Sequence, residues 1–354
     1  MQPGFARSSP VPILPLLLVL ASAPAAPLPD KGVKIFGDWA VGCDNSASCE
    51  MTSLLPEGEE GNEAYQDVFV SVGRVPGAAG ALTVLLELPG HNGRTLALKI
   101  DGTLLVSQAP HDDSIRIEGE AAQRIARAMV AGKTIEVVDA SGRTVGIVSL
   151  TGASAAFRFT DAAQGRAGTV TAIVAKGGKP AHSVPAAPAV PTIRAVRPSG
   201  TPATVDAALR KRLDTESGCD AEYDGAAGDL PGVGTFALGG GKTLALLPCG
   251  QGAYNLPSVP YILSGGKVEV AGFDSAPDDT GAQGDAPALI NPWFDPKTGI
   301  LSSRTKGRGI GDCGSSASYV WDGSLFRLID QREMPDCRGS TNWLRTWRAD
   351  IAPK

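Results

Sequence analysis

The chain has 354 residues, 43% apolar but only 5% aromatic, with 44 Gly and 27 Pro. Its 32 basic and 37 acidic side chains leave a formal net charge of -5, which excludes counterion-driven binding to a nucleic-acid backbone and gives no pull onto an anionic membrane. The length exceeds one ordinary domain, and the glycine and proline content suits short strands and tight turns rather than long helices.

In chain order, the first residues read MQPGFARSSPVPILPLLLVLASAPAAP. Arg7, an apolar run from Val11 to Leu20 and a tail of small residues form the layout of a secretory leader. Pro12 and Pro15 interrupt a run far short of the roughly 20 apolar residues that span a bilayer. Ala23-Pro24-Ala25 fits the small-x-small rule, so residues 1–25 are expected to be a signal peptide cut after Ala25, with no cysteine there to carry a lipid.

A first β-rich domain is expected over residues 28–175. QDVFVSV (66–72) places Val68, Val70 and Val72 on one face at period two, and ALTVLLEL (81–88) is a continuous apolar run; both read as strands. LALKIDGTLLV (96–106) is a hairpin turning at Asp101-Gly102, and TIEVVDASGRTVGIVSL (134–150) a second turning at Ser141-Gly142. Between them, Ala121, Ile125, Ala128 and Met129 recur at helical spacing, with Gly132 as the stop.

Residues 176–203 are dense in Pro and Ala and read as an extended, semi-rigid linker. The second β domain, 204–354, opens with a short helix capped by Thr204 and closed by Gly218. Apolar strands then flank three turns: the glycines before Lys242, Ser264-Gly265-Gly266, and Asp322-Gly323. The expected class is mainly β: two sandwich- or barrel-type domains, each with about one short helix.

Six cysteines in an exported chain read as disulfides, and their positions group them as Cys43 with Cys49, Cys219 with Cys249, and Cys313 with Cys337. Loop-closure entropy assigns these links about 2.4, 3.7 and 3.5 kcal/mol. There is no C-x-x-C and no adjacent histidine, so no metal site is expected.

GRGIGDCG (307–314) contains a literal G-x-G-x-x-G through Gly309, Gly311 and Gly314. A dinucleotide site needs a helix directly after the glycines, whereas SSASYVW reads as a strand, so the octet is expected to be a tight turn delivering Cys313, and no cofactor is expected. The three histidines, His91, His111 and His182, lie in turn or linker sequence; His111 beside Asp112 and Asp113 reads as an exposed pair. The acidic stretch with Asp274, Asp278, Asp279 and Asp285 misses the calcium-loop spacing. Two carboxylates, Asp295 and Asp312, are nominated as a glycosidase-type acid pair, with Trp293 and Trp321 as sugar-facing aromatics; the competing account makes Asp295 a turn former and the tryptophans core. Trp343 and Trp347, four apart, read as core. The nominated binding surface is Tyr254, Asn255, Trp293, Arg308 and Asp312, where glycine, aromatic and charged residues crowd two cystines.

FGDWAVGCDN with Cys49, LALLPCGQGAYN, NPWFDPKTGILSS, GRGIGDCGSSASYVWDG and CRGSTNWLRTWRA together resemble the bacterial exported proteins of the domain of unknown function 1176 family. The segment from GDWAVGC through the first helix and hairpin is also similar to invasion-associated locus B proteins. The resemblance implies an envelope location and two β-rich parts, and it supplies no reaction and no catalytic residue.

The sequence therefore points to an exported periplasmic protein that binds an envelope protein or glycan without catalysis. The alternatives are a carboxylate-dependent glycan hydrolase and a host-interaction or envelope-stress protein, acting at the surface or after secretion. Mass spectrometry of the protein from its native host should find a chain beginning at Ala26 and no alkylatable thiol; an intact leader or six free thiols would contradict this reading.

Overall fold

The computed structural model describes Met1 and residues 32–59, 61–65, 68–219, 232–250, 252–275 and 287–354. The expected leader beyond Met1, its cleavage site, and Asp278, Asp279 and Asp285 lie outside the described residues. The remainder belongs to one compact unit, Lys31–Lys354, and is mainly β.

In the first half, β1 (Lys34–Phe36), β2 (Trp39–Cys43), β3 (Cys49–Ser53), β4 (Phe69–Arg74) and β5 (Leu82–Glu87) run as an antiparallel meander. Next come β6 (Leu96–Ile100), β7 (Thr103–Gln108) and β8 (Ser114–Glu118), the last closing onto β5 to complete a six-stranded sheet. The expected helix is α1 (Gly119–Ala131), followed by β9 (Thr134–Asp139) and β10 (Thr144–Ser149), which join β6 and β7 in a four-stranded sheet. Both expected hairpins are present, and Asp101 and Gly102 take the positive φ values, 47° and 79°, that a tight two-residue turn requires.

The face that α1 buries differs from the expected one by a residue: Ala122, Ile125, Ala126 and Met129 are buried, while Ala121 and Ala128 pack at the margin. Gly132 ends the helix with extended backbone, not a left-handed cap, and is required for space, since a Cβ there would meet Ile100 at 2.6 Å. A second helix, α2 (Ala153–Ala163), has no counterpart in the expected elements. Its buried face is Ala153, Ala156, Phe157, Thr160 and Asp161, too small and too polar to show a hydrophobic period. Both sheets and both helices enclose one core containing Trp39, Val70, Leu86, Leu98, Ile125 and Phe157.

A buried ion cluster fastens α2. Asp161, fully buried, accepts the Arg74 guanidinium at 3.1 Å and the backbone N–H groups of Ile173, Val174 and Ala175. Arg166, also fully buried, donates to Gln164 and to the carbonyls of Val75 and Gly77. Burial first, and then the facing Arg166 charge, bring the Arg74 guanidinium down to about 10.

The Pro/Ala-rich segment 176–203 is mostly irregular, but it is fastened to the second half rather than left as a free connector. Within it, β11 (Thr192–Ala195) pairs in parallel with β22 (Asp350–Pro353), and Val196 donates its N–H to the Trp321 carbonyl. The helix α3 (Ala207–Ser217) is capped by Asp206, whose carboxylate accepts the Leu209 N–H, and not by Thr204; Gly218 closes it in the left-handed region as expected.

Two further sheets follow. One orders β12 (Gly234–Gly239), β13 (Lys242–Pro248), β14 (Pro257–Ser264) and β15 (Lys267–Val270), with β16 (Leu289–Ile290) also on β14. The other orders β17 (Trp293–Asp295), β18 (Ile300–Lys306), β19 (Gly314–Trp321), β20 (Phe326–Met334) and β21 (Leu344–Arg348). Leu244, Leu246 and Ile262 of the first share a core with Phe294, Leu301, Tyr319 and Trp321 of the second. Leu213 of α3 and the Cys219–Cys249 link cover the far side of the first of these sheets, packing on Leu247, Val259 and Leu263.

The two halves meet through Ala40, Leu54, Cys313, Met334, Trp343 and Leu344, which form one buried cluster. Arg338 reinforces it, donating to the Gly37 and Leu55 carbonyls and to Asp38 at 3.1 Å.

Replacing Asp161 by Asn should destabilise the protein by about 3–5 kcal/mol, because two buried guanidinium groups lose their one carboxylate. Urea unfolding measures this; a loss under about 1 kcal/mol would show the cluster to be energetically idle.

Candidate functional site

The octet GRGIGDCG forms the connection from β18 to β19, so a strand and not a helix follows its glycines. That leaves no ring of helix N-terminal amides to face a pyrophosphate. The glycines serve the turn: Gly314 has φ 137°, and a Cβ on it would stand 1.9 Å from the Thr305 carbonyl oxygen. Cys313 is bonded to Cys337, and the other two expected pairs are also formed.

Asp312 is the buried anchor of this loop. Its carboxylate takes two hydrogen bonds from Arg308, at 2.8 and 2.5 Å, and one from the Gly339 N–H at 2.7 Å. Burial pushes its pKa up, but the Arg308 hydrogen bonds, the Gly339 amide and the Arg308 charge outweigh that and hold it below the usual carboxylate range.

Beside the loop, Asn255 exchanges hydrogen bonds with Lys306, accepting its N–H at 3.1 Å and donating to its carbonyl at 2.9 Å. Tyr254 donates its hydroxyl to the Gly307 carbonyl at 3.2 Å. Asn291, in the left-handed region at φ 46°, ties the group together: its amide donates to Tyr254, Asn255 and Arg304 and accepts the Leu256 N–H.

The structure thus brings Tyr254, Asn255, Arg308 and Asp312 to one loop cluster, while Trp293 follows Asn291 and Pro292 onto the edge strand β17 and points to solvent at 68% exposure. Three neighbours were not legible as site residues. Leu256 and Ile310 are exposed at 51% and 71%, and periodicity does not distinguish an exposed apolar loop residue from a buried one. Asn291 had a signal, since Asn-Pro marks a turn. A cleft of about 480 Å³ lies alongside, lined by Phe236, Leu246, Pro248, Leu256, Asn291 and Pro292.

The nominated acid pair does not assemble. Asp295 pairs with Ile300 at one end of β18, and Asp312 follows the loop leaving Lys306 at the other. Six strand steps separate them by roughly 20 Å, against the about 5 to 9.5 Å that glycoside hydrolysis requires. Asp295 instead accepts the Lys297 N–H and the Thr298 hydroxyl, bonds that hold its pKa below the ordinary value and close the turn. Trp321 is buried, with Lys242 over its ring at 5.1 Å. Trp343 is core and Trp347 half-buried on β21. His111 meets Asp112 at 3.0 Å on open surface, and Asp274 accepts the Leu328 N–H.

The model of the family described as "Protein of unknown function (DUF1176)" matches residues 33–350. "Uncharacterized protein YpfG" of Escherichia coli (strain K12) is 30% identical over 361 residues, covering 95% of this chain and 96% of its own. Among solved structures, invasion associated protein b from Bartonella henselae is 19% identical and is matched over 38% of this chain and 98% of its own, with a TM-score of 0.30.

Because the native carboxyl pKa of Asp312 is depressed, its contribution to stability is full above the unfolded-state value of about 3.9 and is lost as pH falls through the native value. Asp312→Asn should lower stability at neutral pH and flatten the stability curve below about pH 4. Thermal melts from pH 2 to 7 check this; parallel curves for variant and wild type would contradict it.

Proposed function

From the premise that the chain belongs to the DUF1176 family of proteins of unknown function, we propose that it is an exported envelope protein that acts by binding a partner rather than by turnover. One finding supports export: all six cysteines are paired, as in an oxidising compartment. The contact surface is the loop cluster of Tyr254, Asn255, Leu256, Trp293, Arg308 and Ile310, around the buried Asp312.

The observation that carries the reading is the exposure of Tyr254, Leu256, Trp293 and Ile310 on backbone held in place by Asn255, Asn291 and the Cys313–Cys337 link. Apolar side chains so held pay little ordering entropy on binding. Neighbouring exposed apolar residues on a scaffold mark an interaction site.

Affinity capture from envelope extracts, comparing the wild type with a Leu256→Ser, Trp293→Ala, Ile310→Ser triple variant, tests the placement. The wild type should retain a partner, protein or glycan, that the variant loses. Equal recovery by both would place the contact elsewhere.

A further inference from the structure

The last five-stranded sheet has unlike faces. One packs through Phe294, Leu301, Tyr319 and Leu328 into the core shared with the sheet of β12 to β16. Direct cross-strand partners share a face, and following them past the bulges between Leu328 and Asp330 and between Arg345 and Trp347 gives the other face. One row on it reads Trp293, Ser302, Ser318, Asp330 across β17 to β20, and the next reads Arg304, Ser316, Arg332, Arg345 across β18 to β21. α3 and a disulfide cover the corresponding outer side of the neighbouring sheet; the middle of this face carries polar side chains that are half-buried or exposed.

Its charge is unbalanced. Asp330 takes the Nε groups of both Arg332, at 3.0 Å, and Arg345, at 2.6 Å. One carboxylate therefore serves two guanidinium groups. Arg304 has no carboxylate partner among the described residues and lies over the Trp343 ring at 4.2 Å. Arg348, which continues the first row onto β21, pairs with Asp350 at 3.7 Å, so Arg304, Arg332 and Arg345 face the one carboxylate of Asp330, in a chain whose net charge is -5. Between them stand hydroxyls: Ser302 and Ser318 bond each other at 3.1 Å. At the edge of the face stands the exposed indole of Trp293.

We propose that this face binds an acidic polysaccharide whose sugars carry carboxylates, laid across the strands from Trp293 toward β21. The chemistry is complementary part by part. An indole offers an apolar plane with a polar edge for the C–H face of a pyranose ring. Serine hydroxyls donate to or accept from sugar hydroxyls. Guanidinium forks bind carboxylates with two parallel hydrogen bonds. Arg304 and Arg332 stand two strands apart, about 10 Å, which matches the repeat of carboxylates on alternate residues of an extended uronate chain. A membrane surface fits less well, because Trp293 is the one large apolar group in its two rows.

This inference rests on the chain acting as a binding protein and names the ligand for a surface next to the loop cluster, with Trp293 common to both. Calorimetric titration of the full chain with oligoguluronate tests it, with neutral cello-oligosaccharide and phosphatidylglycerol vesicles as comparators. The wild type should bind the oligouronate alone of the three, more weakly as salt is raised. Arg304→Gln and Trp293→Ala should each weaken binding about tenfold or more, the loss of one charge-assisted or stacking contact. An Arg116→Gln variant, which removes an exposed guanidinium on β8 in the first half, should bind as the wild type does. Trp293 is solvent-exposed, so its variant tests the site with the fold intact.

No uptake of oligouronate by the wild type, equal affinity in Arg304→Gln and Trp293→Ala, or equal binding to cello-oligosaccharide or vesicles would each overturn the proposal. If oligouronate fails while an envelope partner is still captured through Leu256 and Ile310, this inference falls and the binding function stands. Loss of both would remove the function as well.

Discussion

The carboxylate of Asp312 is the interaction on which the rest of this architecture depends. On one side it takes the Arg308 fork and so shapes the glycine loop between β18 and β19. On the other it takes the Gly339 N–H and so fixes the segment from Cys337 to Trp343. That segment reaches the first half: Arg338 bonds Gly37, Leu55 and Asp38, Ser340 meets Thr52 at 3.2 Å, and Asn342 donates to Glu50 at 2.8 Å. A buried carboxylate with three charge-assisted hydrogen bonds repays its desolvation, and here it couples the inter-half contact to the geometry of the exposed loop cluster.

The cystine beside Asp312 explains why that coupling is stiff. Cys313 and Cys337 join the same two loops that the carboxylate joins, so covalent and polar constraints act on one pair of segments. Gly307 sits so close that a Cβ there would meet the Cys313 sulfur at 2.6 Å. The glycines of the phosphate-loop-like pattern serve the turn itself: Gly311 and Gly314 take φ 72° and 137°, and Gly314 lies against the Thr305 carbonyl. The same economy recurs at Arg166, whose guanidinium occupies the space a side chain at Gly80 would need.

Burial of charge divides the molecule by purpose. The Arg74, Asp161 and Arg166 cluster is enclosed and bonded mainly to backbone groups that it orders, with the buried Arg74 Nε left without a partner, which is the pattern of a structural network. Arg332 and Arg345 of the outer sheet face are half-exposed and share one carboxylate. Excess charge of this kind costs little while water solvates it and becomes useful when a ligand supplies the missing anions.

The amino-acid sequence by itself determined the mainly β class, the disulfide partners and both hairpin turns of the first half, because each is a local property: period-two patterning, cysteine spacing, and turn residues such as Asp101-Gly102 that tolerate positive φ. Tertiary structure alone decided the rest. It brought Tyr254 and Asn255, which follow Cys249, to Arg308 and Asp312, which precede Cys313 of a different cystine, through the hydrogen bonds from Tyr254 and Asn255 to the 306–307 backbone. It separated Asp295 from Asp312 by the length of β18, moved the α3 cap to Asp206, and made a helix of 153–163, whose small and polar buried face carries no hydrophobic period. It laid the Pro/Ala-rich segment along β22, about 150 residues on in sequence, and lined up Arg304, Arg332 and Arg345 on one face of consecutive strands. Registers between strands far apart in sequence are set by the packing of whole sheets, and no local pattern encodes them.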